Sequence, residues 1–100
     1  MVNPNLKDDN MDLLFQAILQ LQTEEECYHF FEDVCTISEL KALSQRLQVA
    51  KMLQAGRTYQ QIESDTGAST ATISRVKRYL QYGAGGYGLV LSRLKEQETK

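Results

Sequence analysis

One hundred residues, 42% of them apolar, suit one compact domain spanning residues 1–100. A single proline at position 4 and the lack of a long Gly/Ser linker leave nothing to join to a second domain. No apolar run approaches the roughly 18–20 residues of a membrane span, and acids follow Lys7 where a signal peptide needs an apolar stretch. The expectation is a cytoplasmic protein with no membrane partner. Cys27 and Cys35 form no CxxC pair, so they read as half-buried free thiols, with no metal or other cofactor expected. The net charge of −2 conceals two unlike halves. Residues 1–40 set Lys7 against nine acids, a net −8, whereas residues 41–82 set seven cations against Glu63 and Asp65, a net +5. A basic half of that kind suits a polyanionic partner.

The pattern is helical throughout, with no strand signal and no internal repeat. Asp12 to Leu21 places Leu13, Leu14, Ile18 and Leu21 on one stripe. Thr23, three residues before Glu26, has capping-box spacing and starts a second helix with Cys27, Phe30, Phe31 and Val34 as its apolar positions. Thr36 and Glu39 repeat that start. The third helix is longer, with Leu40, Leu43, Leu47, Ala50 and Leu53 near heptad spacing and Gly56 as its stop. Tyr59 to Thr66 is a short helix with Ile62 inward, broken by Gly67-Ala68. Ser69 or Thr70 caps the next helix, which runs to about Tyr82. Gly83, Gly85, Gly86 and Gly88 form a flexible loop, and a last helix, roughly Tyr87 to Gln97, carries Leu89, Val90, Leu91 and Leu94. The glycine cluster follows a helix, not a strand, and precedes no Lys-Ser/Thr, so it reads as a hinge rather than a phosphate cradle.

Residues 59–82 carry the spacing of a helix-turn-helix. Such a motif needs an inward apolar residue in its first helix and a turn residue that tolerates positive φ. It also needs two inward apolar residues about three apart in its second helix. Ile62, Gly67, and Ile73 with Val76 supply them, and Leu80 continues the stripe. The string GASTATISRVKRYL holds no acid. Short side chains at Thr70, Ala71, Thr72 and Ser74 allow close approach to base edges in a major groove. Arg75, Lys77 and Arg78 reach toward bases or phosphates, and the amides of Gln60 and Gln61 suit phosphate or base-edge hydrogen bonds. Double-stranded DNA is the expected partner.

The strings ISELKALSQRLQVAKMLQAG and GASTATISRVKRYL resemble the long core helix and the turn with recognition helix of the Trp repressor superfamily. Over about residues 10–97 the chain is similar to the YerC/YecD group of Trp repressor-like proteins, although the segment after Gly56 is one residue shorter than in the repressor. The resemblance implies an all-α, six-helix Trp repressor-like fold with a helix-turn-helix, assembled as an intertwined homodimer. Residues 10–55 would supply the dimerisation helices, 59–82 the reader and 87–97 the C-terminal helix. It further implies a transcription regulator, a repressor, acting on a palindromic operator. The apolar stripes from Asp12 to Val34 agree, because they exceed what so short a chain buries alone.

In that family two arginines frame a bound tryptophan, and Arg46 and Arg75 match their positions. Val76 stands where the repressor has a glycine under the indole, and Tyr79 where it has a serine near the amino group. Both take up pocket volume, so the expectation is DNA binding without tryptophan, with a different small-molecule effector left open. Arg46 and Arg75 equally suit pairing with Glu39 or Glu63, or a phosphate contact. The competing reading is a protein-interaction module that reuses the helix-turn-helix surface. Acids on the outward face of the second helix would mark it, and there are none. An enzyme would need convergent titratable groups; one histidine, His29, and unpaired cysteines offer no such set, so no catalytic residue is expected.

Overall fold

The computed structural model describes residues 2–98. Among them it places six α-helices and no strand: α1 (Asp9–Ile18), α2 (Glu24–Val34), α3 (Ile37–Gln54), α4 (Tyr59–Thr66), α5 (Thr70–Tyr82) and α6 (Gly86–Glu98). Short polar side chains set four of the starts. Asp8 accepts from the N–H of Met11, Thr23 from Glu26, Thr58 from Gln61 and Ser69 from Thr72. Each satisfies an amide that the first helical turn leaves without a partner. α3 ends where the chain turns left-handed at Gly56 (φ +80°). There the N–H of Gly56 donates to the Leu53 carbonyl and that of Arg57 to Met52, both at 3.1 Å, the paired bonds of a Schellman stop.

Several boundaries differ from those expected. α1 is shifted toward the N-terminus because Asp8 caps it. Gln20 and Leu21, expected inside that helix, lie beyond it in i→i−3 bonds to Ala17 and Ile18, both at 3.1 Å. The box at Thr23 closes on one side only, since the Glu26 carboxylate takes the N–H of Gln22 at 2.9 Å. A reciprocal box is present at α4. Thr58 Oγ1 accepts from the Gln61 N–H at 3.2 Å, and Gln61 Oε1 accepts from the Thr58 N–H at 2.9 Å. Gly86 and Gly88 belong to the first turn of α6, so the expected flexible loop contracts to residues 83–85. Cys27 is exposed rather than half-buried, while Cys35 is half-buried.

The described residues fall into two compact units, one ending at Ile37 and one beginning at Ser38. The first holds α1 and α2, and neither helix has a buried residue. Phe30 and Phe31 meet edge to face with ring centres 5.3 Å apart. Leu13 is 64% exposed, Leu19 79% and Ile37 72%, so much of this unit's apolar surface is uncovered. The second unit holds all of the buried core among the described residues: Val49 and Ala50 of α3, Ile62 of α4, Ala68 of the turn, Ile73 and Val76 of α5, and Leu91 of α6. Met52, Leu53, Tyr59 and Tyr87 pack around it. The heptad stripe of α3 enters this core only at its C-terminal end, leaving Leu43 and Leu47 exposed. Gln45 Nε2 donates to the Thr66 carbonyl at 3.1 Å and fastens α3 to the end of α4. Ile73 is fully buried, so Ile73→Ala is expected to lower unfolding free energy by about 2–5 kcal/mol in urea titration at fixed protein concentration.

Candidate nucleic-acid interface

The turn between α4 and α5 is held by backbone geometry and by three side chains. Gly67 lies at φ +73°, ψ 5°, and its N–H donates to the Glu63 carbonyl at 2.9 Å. Nothing stands within 4 Å of the place a Cβ would occupy, so the dihedral alone calls for glycine here. The Thr66 hydroxyl donates to the Ile62 carbonyl at 2.7 Å and accepts from the Ala68 N–H at 3.1 Å. Across the turn the Thr70 hydroxyl donates to the Glu63 carboxylate. With Ile62, Ala68, Ile73 and Val76 buried beneath it, the corner fixes α5 against α4.

At about 100° per residue, buried Ile73 and Val76 and half-buried Leu80 define one side of α5. The opposite side carries Ala71, Ser74, Arg75, Arg78 and Tyr82, all exposed. Ala71, Ser74, Arg75 and Arg78, together with Tyr79, line a shallow concavity of about 480 Å³. A helix face that pairs small side chains with arginines at this spacing can enter a major groove and meet both base edges and phosphates. Tyr82, 83% exposed, lies on the same stripe and escaped sequence reasoning, because an exposed tyrosine at a helix end carries no periodic signal.

The other sequence-predicted residues take different places. Lys77 lies at the flank toward α4, its Nζ 5.8 Å from the Tyr59 ring centre. The Tyr59 hydroxyl also meets Ser74 Oγ at 3.3 Å, so Tyr59 braces α5 from α4. Thr70 is exposed, but its hydroxyl proton is committed to Glu63, which leaves an acceptor oxygen and a methyl to face outward. Thr72 is half-buried and accepts from the Ser69 hydroxyl at 3.1 Å, on the side away from the exposed stripe. Gln60 and Gln61 are exposed on α4. The Gln61 oxygen is occupied by the helix cap, leaving its NH₂ group as the outward donor.

Arg46, Arg75, Val76 and Tyr79 come together as walls of one open cavity of about 660 Å³ between α3, α5 and α6. Thr72 and Tyr87 also line it. Val76 is buried in the core and Tyr79 is 46% exposed, so the two line the cavity without closing it. The volume lies within the range of small-molecule sites. Arg75 and Arg78 both approach the ring of Tyr79, with Cζ 6.0 and 5.7 Å from its centre. His29, outside this region, is exposed and sits 3.9 Å from Glu25 one helical turn away.

A helix-turn-helix with a basic outward face, mounted on a longer core helix, is the apparatus of a DNA-binding transcription regulator. The chain belongs to the Trp repressor protein family, whose model matches residues 9–95, and that family comprises such regulators rather than enzymes. It is 57% identical over 95 residues to the uncharacterised protein YerC of Bacillus subtilis (strain 168), across 95% of this chain and 91% of that one. Two crystal structures share the fold at TM-score 0.90. One, from Staphylococcus aureus and provisionally named a Trp repressor, is 55% identical and matches 95% of each chain. The other, a TrpR like protein from Eubacterium eligens ATCC 27750, is 58% identical, with 93% of this chain and 96% of that one covered. The six-helix, all-α Trp repressor-like fold is therefore shared by this chain and both of them. No helix of the described residues is long and apolar enough to cross a membrane.

The left-handed dihedral at Gly67 predicts that Gly67→Ala destabilises the fold by about 1–2 kcal/mol. Gly67→Asn, which tolerates that region, is expected to lose less, with thermal melts of the three proteins giving the order.

Proposed function

We propose that this protein is a homodimeric transcription regulator that reads a palindromic operator in double-stranded DNA and acts as a repressor without tryptophan. The observation that carries the reading is the exposed stripe of α5. Ala71, Ser74, Arg75 and Arg78 face away from the core, while Ile73 and Val76 anchor the same helix from behind. In this reading Ala71 and Ser74 approach base edges, Arg75 and Arg78 meet bases and phosphates, and Thr70, Lys77, Gln60 and Gln61 contact the flanking backbone. Thr72 shapes the helix start.

Dimerisation is supported by the apolar surface that one chain leaves bare. Leu13 of α1, Leu19 at its C-cap, and Ile37, Leu43 and Leu47 of α3 are all exposed. A two-fold dimer built through residues 10–55 buries that surface and sets two copies of α5 one DNA turn apart. Independence from tryptophan is supported by Val76 and Tyr79, which stand in the walls of the cavity between α3, α5 and α6. The cavity of about 660 Å³ that they line leaves room for a small effector. A protein of this class works in the cytoplasm, where its DNA is.

Selection from random duplexes, followed by anisotropy titration, tests the reading. A sequence-selective, salt-sensitive complex is expected; absence of any sequence preference would remove the regulator assignment. Arg78→Ala is expected to weaken all duplexes and lower the salt slope by about one ion, whereas Ser74→Ala changes preference at one position. Calorimetry with tryptophan is expected to show no binding, and a micromolar Kd would overturn that part. Sedimentation is expected to give a dimer, which the double variant Leu43→Asp, Leu47→Asp converts to monomer.

A further inference from the structure

We infer that Tyr79 is a positioning residue that holds the guanidinium groups of Arg75 and Arg78 in place for DNA before DNA arrives. The inference rests on the DNA-binding reading and gives a role to a residue that faces the groove only in part.

Two cations converge on this one ring. Arg75 lies one turn before Tyr79 and Arg78 immediately before it, with Cζ atoms 6.0 and 5.7 Å from the ring centre. Both distances fall within the range at which a guanidinium is attracted to the negative face of an aromatic ring. Without the ring, two like charges on adjacent positions of one exposed helix face repel and sample separate rotamers. With it, each is drawn toward a common centre. A guanidinium carries its N–H donors in its own plane, so association with a ring leaves donors for phosphate or guanine.

Tyr79 is placed to do this for both arginines at once. It belongs to the wall of the larger cavity with Arg46, Arg75 and Val76, and to the wall of the shallow concavity with Ala71, Ser74, Arg75 and Arg78. The ring is thus shared between the recognition stripe and the interior side of α5. Immobilising a free long side chain on binding weakens a complex by about two- to tenfold per residue. A ring that orders two arginines beforehand removes part of that penalty twice.

The test uses the full-length protein and the duplex recovered by selection. Tyr79→Phe keeps the ring and is expected to retain wild-type affinity within about twofold. Tyr79→Leu keeps apolar bulk at the cavity wall without a ring face; it and Tyr79→Ala are expected to weaken binding about five- to tenfold. In an Arg75→Ala, Arg78→Ala background the further change Tyr79→Leu is expected to alter affinity by less than about twofold, because the ring then has nothing to hold. Thermal melts confirm that each variant is folded at the assay temperature. Wild-type affinity for Tyr79→Leu, or an undiminished loss in the double-arginine background, overturns the inference while leaving the regulator reading intact. If wild-type protein binds no duplex selectively, the regulator reading fails and the inference falls with it.

Discussion

Burial of Ile62, Ile73 and Val76 in one cluster with Val49 and Ala50 is the contact on which the rest of the second unit depends. It joins three helices through a small number of fully enclosed side chains, and close-packed interiors tolerate little displacement. The pitch of α5 is therefore inherited from α3 by way of α4. The polar ties at the corner act on an arrangement that this packing has already made. Gln45 to the Thr66 carbonyl, Thr66 to Ile62 and Ala68, and Thr70 to Glu63 each satisfy groups left over where α4 stops and α5 begins. The outcome is a helix whose outer face is free to be polar and basic because its buried inner face supplies the anchoring core contacts.

The first unit is built on the opposite principle. Its helices are capped by Asp8 and Thr23 and have the period of amphipathic helices, yet no residue in either is buried. Local signals make these helices form, but stability in water comes from covering an apolar face. With the exposed leucines of α3, this surface is the complement that a second copy supplies under the dimeric reading. Stability and assembly are then a single equilibrium, in which protomer concentration enters directly.

What the sequence revealed follows the range of the interactions involved. Ile62, Gly67, Ile73 and Val76 were legible because their roles depend on spacing within a few residues, and so was Gly56 as the stop of α3. The start of α1 was misplaced because Asp8, Asp9 and Asp12 are all suitable first-turn acids and only geometry selects Asp8 as the cap. Thr23 and Thr58 both precede a Glu or Gln by three, and the completed reciprocal box fell at Thr58. The tie from Gln45 to Thr66 spans 21 positions, and no local pattern announces it. Tyr59 is similar, since its partners Ser74 and Lys77 belong to the next helix. The amphipathic period of α1 and α2 was legible, although Leu21 of the expected first stripe lies beyond α1, and the heptad spacing in α3 does not divide that helix into an apolar and a polar side; period alone does not say what covers an apolar stripe. At the interface, sequence placed Thr72 among outward residues because it is small and polar, whereas its angular position turns it toward the cavity.

The division of α5 into an enclosed side and an exposed side has a consequence for how such a protein diversifies. Ala71, Ser74 and Arg78 lie on the arc opposite Ile73 and Val76. None of the three belongs to the buried core, although Ser74 also meets the Tyr59 hydroxyl and Arg78 the Tyr79 ring, and exchanges at exposed positions ordinarily change stability by no more than about half a kcal/mol. Selection can therefore retune what the helix recognises in single steps, without first acquiring compensating changes in the interior. Paralogues of one scaffold can diverge in target while their packed halves stay interchangeable. Arg75 is the exception, since it alone of the stripe also lines the larger cavity between α3, α5 and α6, so a change there alters recognition and the helix's inner neighbourhood together.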